Sequence, residues 1–504
     1  MFGIDVLSLL LLLIAAVTSD VTDNELDDSC DLSSDLLTEI ESYGPTVETI
    51  INSVLNGKFK GGTYNELADF VDKFGARLSG TQNLEDSIDY MLALMNEYDL
   101  ENVHGEDVEV PHWLRGIEVG EMVEPRTAEI EVLALGSSVG TPQEGIEAEV
   151  LVVRSFDELD EANFSAAASG KIVVYNYEFV SYGVSVAYRS QGARRAARYG
   201  AVAALVKSVA PFSMYTTHTG QQAYEDNTTQ IPALAITAED AAMFQRYQDR
   251  GEKIVVKLNV TTQILPDETS RNSIAEIVGS EQPEKIVLVS GHLDSWDVGV
   301  GAMDDGGGAF ISWYALAVLK SLGLRPKRTL RAVLWTAEEP GLVGAYAYNT
   351  THYDELDNHT FVMESDEGTF TPQGLIYTAG TRGGCILAEI MKLLTAINAT
   401  QAVYSSGGVG SDISIWTNVI PGGSLLNANE RYFWFHHSEA DTMDVLNPDD
   451  LDKSTALWAS VAYIIADLSE EFPRDFNRTT ADLTKSELMK KVMESVAANK
   501  IKLL

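Results

Sequence analysis

The chain has 504 residues, of which 45% are hydrophobic, and this is enough to build two or three packed domains. Asp and Glu number 75 against 35 Lys and Arg, so the formal net charge is −40. A chain this acidic excludes a broad nucleic-acid-binding surface and disfavours binding to anionic membranes. With only two cysteines, Cys30 and Cys385, it is no disulfide scaffold, and the sequence leaves open whether they pair.

Residues 1–19 are predicted to be a signal peptide. Residues 6–17, VLSLLLLLIAAV, are apolar but too few to span a bilayer, and small residues follow them. The leading MFGID lacks a basic residue, so an uncleaved anchor is the alternative. No later stretch is long and apolar enough for a membrane span. Seven N-x-S/T sequons support passage through the secretory route: Asn163, Asn227, Asn259, Asn349, Asn358, Asn398 and Asn477.

Residues 20–44 are predicted to be an acidic prosegment. Residues 20–36 contain seven Asp or Glu and no Lys or Arg, which is typical of a weakly ordered or removable segment. From about residue 45 the chain becomes periodic, with helical patterns over residues 64–74 and 83–98. We therefore assign residues 45–144 to the N-terminal part of the main domain.

Two regions of alternating strands and helices follow. Residues 145–265 hold strand and helix patterns but no cluster of His, Cys and carboxylates, so we interpret them as an inserted module with a binding or lid role. Residues 266–475 predict an α/β domain whose mostly parallel central sheet is flanked by helices. Residues 476–504 are predicted to be a lysine-rich helical tail, docked on the acidic body or, alternatively, lying on a membrane surface.

Groups of His and carboxylate side chains follow the predicted strands directly. They are His292 and Asp294 after KIVLVSG, Glu338 and Glu339 after TLRAVLWTA, Asp366 after HTFVMES, and His436-His437 after a predicted strand RYFWF. GAMDDGGGA adds Asp304 and Asp305 beside glycines that permit close backbone approach. Each group alone has an ordinary explanation as a core histidine, a surface pair or a turn. Because parallel strands end at one edge of a sheet, we expect these groups to converge. The donors suit zinc and are numerous enough for two metals.

Five motifs closely resemble those of the co-catalytic zinc aminopeptidase and carboxypeptidase family: GHLDSWDVG, GAMDDGGGA, LWTAEEPGLVGA, VMESDEGTF and FHHSEADTMD. The likeness runs from about residue 45 to about residue 470. It implies that His292 and Asp366 bind one zinc, that Glu339 and His437 bind a second, and that Asp304 bridges them. It also implies that Glu338 is the general base and that the Asp294 carboxylate hydrogen-bonds and orients His292, with His436 the less favoured ligand.

The resemblance also implies what surrounds the site. We expect two zinc ions per subunit, a cis peptide bond between Asp304 and Asp305, a homodimer, and a protease-associated-type domain in residues 145–265. The implied activity is hydrolysis of dipeptides or short peptides with free termini, by a protein that is secreted or resides in the endoplasmic reticulum, Golgi or lysosome. Removal of the prosegment would take Cys30 with it, which weighs against a structural disulfide. Pro340 stands where a polar residue is expected but removes no ligand.

Two functions of other classes are the alternatives. A non-catalytic, receptor-like relative would keep the fold and lose ligands or the base, whereas all seven implied residues are present. A glutaminyl cyclase-like acyltransferase uses a similar scaffold with one zinc. Counting the metal ions per subunit would separate these functions, since two equivalents disfavour the cyclase. Ser411 and Asp412, in SSGGVGSD, are candidates for holding the charged ends of a substrate, and a plain turn is the competing interpretation.

Overall fold

The fold comes from a computed structural model of the chain. The structure describes residues 30–225, 228–417 and 419–476. The predicted signal peptide, nearly all of the lysine-rich tail, and the sequons at Asn227 and Asn477 lie outside these residues. Within them, no helix has the length and apolar character needed to cross a membrane.

Two eight-stranded sheets organise the described residues. In chain order their strands are β1 Glu101–Leu114, β2 Glu118–Glu124, β3 Ala128–Ile130, β4 Val132–Ala134, β5 Ile146–Val153, β6 Ile172–Tyr175, β7 Ala203–Lys207, β8 Ala233–Ile236, β9 Val255–Val260, β10 Gln263–Ile277, β11 Gln282–His292, β12 Arg328–Trp335, β13 His359–Glu364, β14 Pro372–Thr378, β15 Gln401–Tyr404 and β16 Gly422–Asn427. The first sheet has the order β1-β10-β12-β11-β13-β16-β14-β15, and its central strands β12, β11, β13 and β16 run parallel.

Helices cover the first sheet and build its core. The α-helices of the described residues are α1 Ser34–Ser42, α2 Gly44–Leu55, α3 Gly62–Phe74, α4 Gln82–Glu97, α5 Phe156–Asp160, α6 Ala162–Ala167, α7 Tyr182–Arg198, α8 Ala238–Asp249, α9 Gly307–Ser321, α10 Val343–Thr351, α11 Thr381–Lys392, α12 Tyr432–Phe435 and α13 Pro448–Asp467. Helices α9 and α13 are buried almost all round, as expected of helices with no polar face, and they pack on each other and on β11. The predicted α/β domain with a largely parallel central sheet is therefore confirmed.

The second sheet forms a unit of residues 118–260, inserted between β1 and β10 of the first sheet. Its order is β3-β2-β9-β5-β6-β7-β8-β4, with β5, β6, β7 and β8 parallel. It begins upstream of the predicted boundary at residue 145, because β2 pairs with β9 and β4 pairs with β8. Two of these early strands, β3 and β4, have only three residues each, which is too short for an alternating pattern to be recognised in the sequence. That this unit is of the protease-associated type stays a prediction.

Over residues 30–44 the acidic segment is not weakly ordered, while its assignment as a removable prosegment stays a prediction. Helix α1 places Leu36 and Ile40 in the core, while Asp35 and Glu41 stay exposed. A spacing of four residues puts the two apolar side chains on one face of a helix, and this outweighs the acidic composition. Cys30 and Cys385 form a disulfide, so the expectation against a structural disulfide is wrong.

Candidate metal centre

Most of the predicted site residues lie at or just after the ends of three neighbouring parallel strands. His292 is the last residue of β11 and lies opposite Trp335, the last residue of β12. Glu338 and Glu339 follow β12 within four residues, and Asp366 follows the end of β13 by two. Because the three strands are parallel and adjacent, their carboxyl ends meet at one edge of the sheet, as predicted.

Asp304 reaches the same edge from the turn before α9. The peptide bond between Asp304 and Asp305 is cis, which confirms that prediction. The Asp305 carboxylate accepts hydrogen bonds from the main-chain N–H groups of His292 at 3.0 Å and Gly308 at 3.1 Å. A Cβ atom on Gly308 would lie 1.8 Å from the carbonyl oxygen of Ser365, so only glycine fits there. The glycines of this motif thus let α9 start directly against β11 and β13.

The two carboxylate oxygens of Asp304 face different partners. Asp304 Oδ1 lies 3.3 Å from His292 Nε2, which is itself 3.3 Å from Asp366 Oδ1. Asp304 Oδ2 lies 3.2 Å from His437 Nε2, which is 2.9 Å from Glu339 Oε2. The structure therefore brings all five predicted ligands together, with Asp304 between one His–Asp pair and one His–Glu pair.

The donors fit a bound dication. His292 Nε2, Asp304 Oδ2 and Asp366 Oδ1 are buried and have no hydrogen-bond partner among the described residues. Burial alone lowers the pKa of His292, yet the carboxylates of Asp366 and Asp304 hold that pKa well above its ordinary range. Burial raises the pKa of Asp304, yet contacts with His292 and His437 hold it well below its ordinary range. These buried carboxylates and imidazoles together favour a positive charge, and they are the types of side chain that bind zinc.

The segment that carries the histidine pair is not a strand. RYFWF was predicted to be one, but Tyr432–Phe435 is a single helical turn, stabilised by local hydrogen bonds such as that from Tyr432 N–H to the Asn429 carbonyl. His437 follows with φ of +59°, a conformation that non-glycine residues hold only where the surroundings enforce it. A run of aromatics favours strands by composition alone, and local turn hydrogen bonds override that preference here.

Both histidines of the pair approach Asp304. His436 Nε2 lies 3.6 Å from Asp304 Oδ2, against 3.2 Å for His437, and the two imidazole rings stack with their centroids 3.5 Å apart. The nitrogens of both rings lie within 4.8 Å of an Asp304 oxygen and of each other. His437 also contacts Glu339 at 2.9 Å. This geometry favours His437 as the ligand, in line with the prediction, and places His436 directly behind it.

Asp294 has a different role from the predicted one. Its carboxylate is 3.7 Å from His292 Nδ1, too far for a hydrogen bond, whereas its main-chain carbonyl oxygen is 2.9 Å from that nitrogen. The carboxylate instead accepts hydrogen bonds from the N–H groups of Glu338 at 3.0 Å and Glu339 at 3.3 Å. His292 is thus oriented by the Asp294 main chain, and the Asp294 side chain fixes the loop that bears both glutamates.

The inserted unit forms hydrogen bonds with the segment that carries His436 and His437. Thr219 N–H donates to the His437 carbonyl oxygen at 2.9 Å, and His437 Nδ1 lies 3.3 Å from the Thr219 carbonyl oxygen. His218 Nδ1 lies 2.6 Å from the carbonyl oxygen of His436. These contacts join residues more than 200 positions apart, so the sequence carried no signal for them.

Two further buried residues, Asp441 and Arg77, contact the segment that carries Asp304. The buried Asp441 carboxylate accepts hydrogen bonds from Met303 N–H at 2.7 Å and Asp304 N–H at 3.1 Å. Asp441 belongs to the motif FHHSEADTMD. Arg77 is fully buried and lies in a segment with no recognisable motif. Neither residue bears a predicted role.

The two candidates for binding substrate ends are Ser411 and Asp412, and Asp412 interacts electrostatically with His292, Asp366 and Glu338. Asp412 is completely buried, and burial together with Glu364 raises its pKa well above its ordinary range. Ser411 precedes it at the start of a short 3-10 turn. Neither residue lines the two cavities beside the ligands, and both interpretations of this segment stay open.

Comparison with known proteins identifies the family. The model of peptidase family M28 matches residues 272–462. The chain is 52% identical over 437 residues to carboxypeptidase Q of Pongo abelii and of Homo sapiens, covering 86% of this chain and 92% of theirs. The chain belongs to peptidase family M28. It is therefore a zinc metallo-exopeptidase, and the family resemblance expected from the motifs is confirmed.

Solved structures agree on the fold. A peptidase M28 precursor from Shewanella amazonensis is 30% identical and superposes with a TM-score of 0.82, covering 86% of this chain and 99% of its own. A zinc aminopeptidase from Bacillus subtilis is 18% identical with a TM-score of 0.62, covering 83% of this chain and 98% of its own, and supports the fold alone.

Proposed function

We propose that the protein is a secreted or lysosomal peptidase that hydrolyses dipeptides with free termini at a centre of two zinc ions. The observation that carries this proposal is the placement of Asp304, whose two oxygens face His292 and His437 separately at 3.3 and 3.2 Å. A carboxylate shared between two donor pairs is how a bridging ligand is arranged. His292 and Asp366 would hold one zinc, and His437 and Glu339 the other.

Zinc ions bound here would polarise the scissile carbonyl and lower the pKa of an attacking water. The chain must then supply a base that is close to the ligands without being one. Glu338 meets this requirement, since its Oε2 is 4.0 Å from His292 Nε2 and its main chain is fixed by Asp294. Burial, opposed by His292 and reinforced by Asp366, raises the pKa of Glu338 well above its ordinary range. Such a carboxylate accepts a proton from water and returns it to the leaving amine.

The proposal extends to the substrate, the assembly and the compartment. The carboxypeptidase Q relatives support recognition of a free carboxyl terminus, and the motif resemblance supports dipeptides and a homodimer. The apolar run at residues 6–17 and the seven sequons support secretion, with the endoplasmic reticulum, Golgi and lysosome as further compartments. The contacts of the inserted unit with His437 support a role for it as a wall of the active cleft.

The decisive assay compares free dipeptides, N-blocked dipeptides and longer peptides, each with and without a chelator. We expect free dipeptides to be cleaved fastest, activity to vanish with chelator, and added zinc to restore it. Cleavage of N-blocked dipeptides at the same rate would contradict the requirement for free termini. Turnover that is unaffected by complete removal of metal would contradict the proposed chemistry.

A further inference from the structure

Two small cavities adjoin at the proposed active site. One, of about 10 Å³, touches Asp304, Glu339 and His437 and therefore belongs to the metal centre. The other, of about 20 Å³, also touches Glu339, and Trp296 lines both. The second cavity thus lies directly beside the metal centre and shares the Trp296 ring and the Glu339 carboxylate with it. A group seated in it would be next to the atoms that react.

The second cavity has an almost wholly apolar wall. Leu78, Pro111, Trp113, Trp296 and Pro340 supply its apolar surface. Its hydroxyl and amide side chains are engaged in hydrogen bonds within the wall: the Ser79 hydroxyl donates to the Pro111 carbonyl at 3.1 Å, and the Gln221 amide donates to the Ser137 hydroxyl at 2.8 Å. The Trp296 indole N–H is the exception, since it has no hydrogen-bond partner among the described residues. Glu339 is the one charged residue of the lining. Such a surface favours an apolar group over a polar one.

The wall is also held in place. The Trp113 indole N–H donates to the Ser138 carbonyl at 2.9 Å, and its side chain is buried. Trp296 packs so closely on Gly136 that a Cβ atom there would lie 2.1 Å from the ring. The Trp296 ring also meets the His437 imidazole, at a centroid distance of 5.8 Å. The Trp296 side of the cavity therefore cannot widen without disturbing the contact of this ring with His437.

We infer that this cavity binds one side chain of the substrate and selects small apolar side chains, from that of alanine to that of valine. The inference rests on the proposed peptidase function and deepens it. A cavity of about 20 Å³ exceeds the ~10–15 Å³ that one water requires, so we expect it to seat one or two methyl groups more readily than an aromatic ring. In a fixed apolar pocket, each surplus or missing methylene changes kcat/KM by roughly 10- to 200-fold.

The test measures kcat/KM on two dipeptide series in the zinc-loaded enzyme. In one series the first residue varies through Gly, Ala, Val, Leu and Phe, with Ala as the second residue; in the other the positions are exchanged. We expect one position to fall at least about 10-fold from Val to Phe. Leu78→Ala, which enlarges the cavity, should raise the Phe-to-Ala ratio at that position, and Leu78→Phe, which fills it, should make Gly the preferred residue there. A folding defect common to both variants cannot move the preference in opposite directions.

Ile264→Ala is the matched control, because Ile264 is apolar, 58% exposed and outside the cavity wall. It should leave both series unchanged. Flat profiles at both positions, or a Leu78→Ala profile no different from that of Ile264→Ala, would overturn the cavity inference while leaving the peptidase proposal standing. Failure of the zinc-loaded wild type to cleave any of these dipeptides would overturn both.

Discussion

Replacing Arg77 by Met should destabilise the loop that joins two of the proposed ligands. The Arg77 guanidinium is fully buried and donates to the carbonyl oxygens of Leu293 at 2.7 Å, Val300 at 2.6 Å and Gly301 at 2.9 Å. Leu293 adjoins His292, and Gly301 lies three residues before Asp304. One side chain thus clamps both ends of the segment between these ligands. Burial lowers the pKa of Arg77 to about 10, so it stays charged at neutral pH.

The magnitude follows from the carbonyls that lose their donor. Each buried acceptor left unpaired costs about 1–3 kcal/mol, so three of them give roughly 3–9 kcal/mol in Arg77→Met. Arg77→Lys keeps the charge and some donors, so we expect about half that loss. Because the loop positions His292 and Asp304, zinc affinity should also fall by about 10- to 100-fold, as for other residues that orient ligands.

Thermal unfolding and a zinc competition titration measure the two effects separately. Arg154→Met is the matched control, since the Arg154 side chain is 58% exposed and pairs at the surface with Asp249. It should change stability by less than about 1 kcal/mol and leave zinc affinity alone. An Arg77→Met protein with the stability and zinc affinity of the Arg154→Met protein would refute the reasoning.

Three further outcomes are expected. Glu338→Gln should lower turnover by about 10²–10⁴-fold and keep its zinc, whereas Glu339→Gln should lose zinc from one site, because only the second replaces a charged ligand. Proteolytic fragments containing Cys30 and Cys385 should stay linked until reductant is added, as judged by mass spectrometry of the digest. Burial, with positive charges nearby, lowers the pKa of His359 to about 3, so the native state binds fewer protons than the unfolded state between that value and about 6.5. Stability should therefore be lost as pH falls through that window, by about 2 kcal/mol at pH 5, and this part of the slope should be absent from His359→Asn in denaturant titrations.

For each of these three predictions, a specific result would contradict it. Zinc loss in Glu338→Gln with full loading in Glu339→Gln would mean that base and ligand are exchanged. Separate Cys30 and Cys385 fragments without reductant would disprove the disulfide in the protein as isolated. An identical pH slope in wild type and His359→Asn would assign the acid sensitivity to other groups.

The site could be predicted from sequence because its ligands follow strands. His292, Glu339 and Asp366 each come directly after an apolar run, and parallel strands that end at one edge bring such residues together whatever their separation in the chain. The distinction between His436 and His437 needed the family motif, since both rings approach Asp304 in the fold.

What sequence could not supply depends on contacts between distant segments. Cys30 and Cys385 are 355 residues apart, and no local pattern connects them. Arg77 donates to main-chain carbonyls, which every residue has, so its partners leave no trace in the sequence. The role of Asp294 was misassigned because its carbonyl and its carboxylate both lie near His292, and only their distances separate the two.

The central claim is that Asp304 bridges two zinc ions in each chain. Metal analysis of the purified, dialysed protein tests it most directly, with activity measured on the same sample. The structure predicts two equivalents of zinc, because Asp304 faces one donor pair through Oδ1 and another through Oδ2. One equivalent or fewer, with full peptidase activity retained, would contradict the claim.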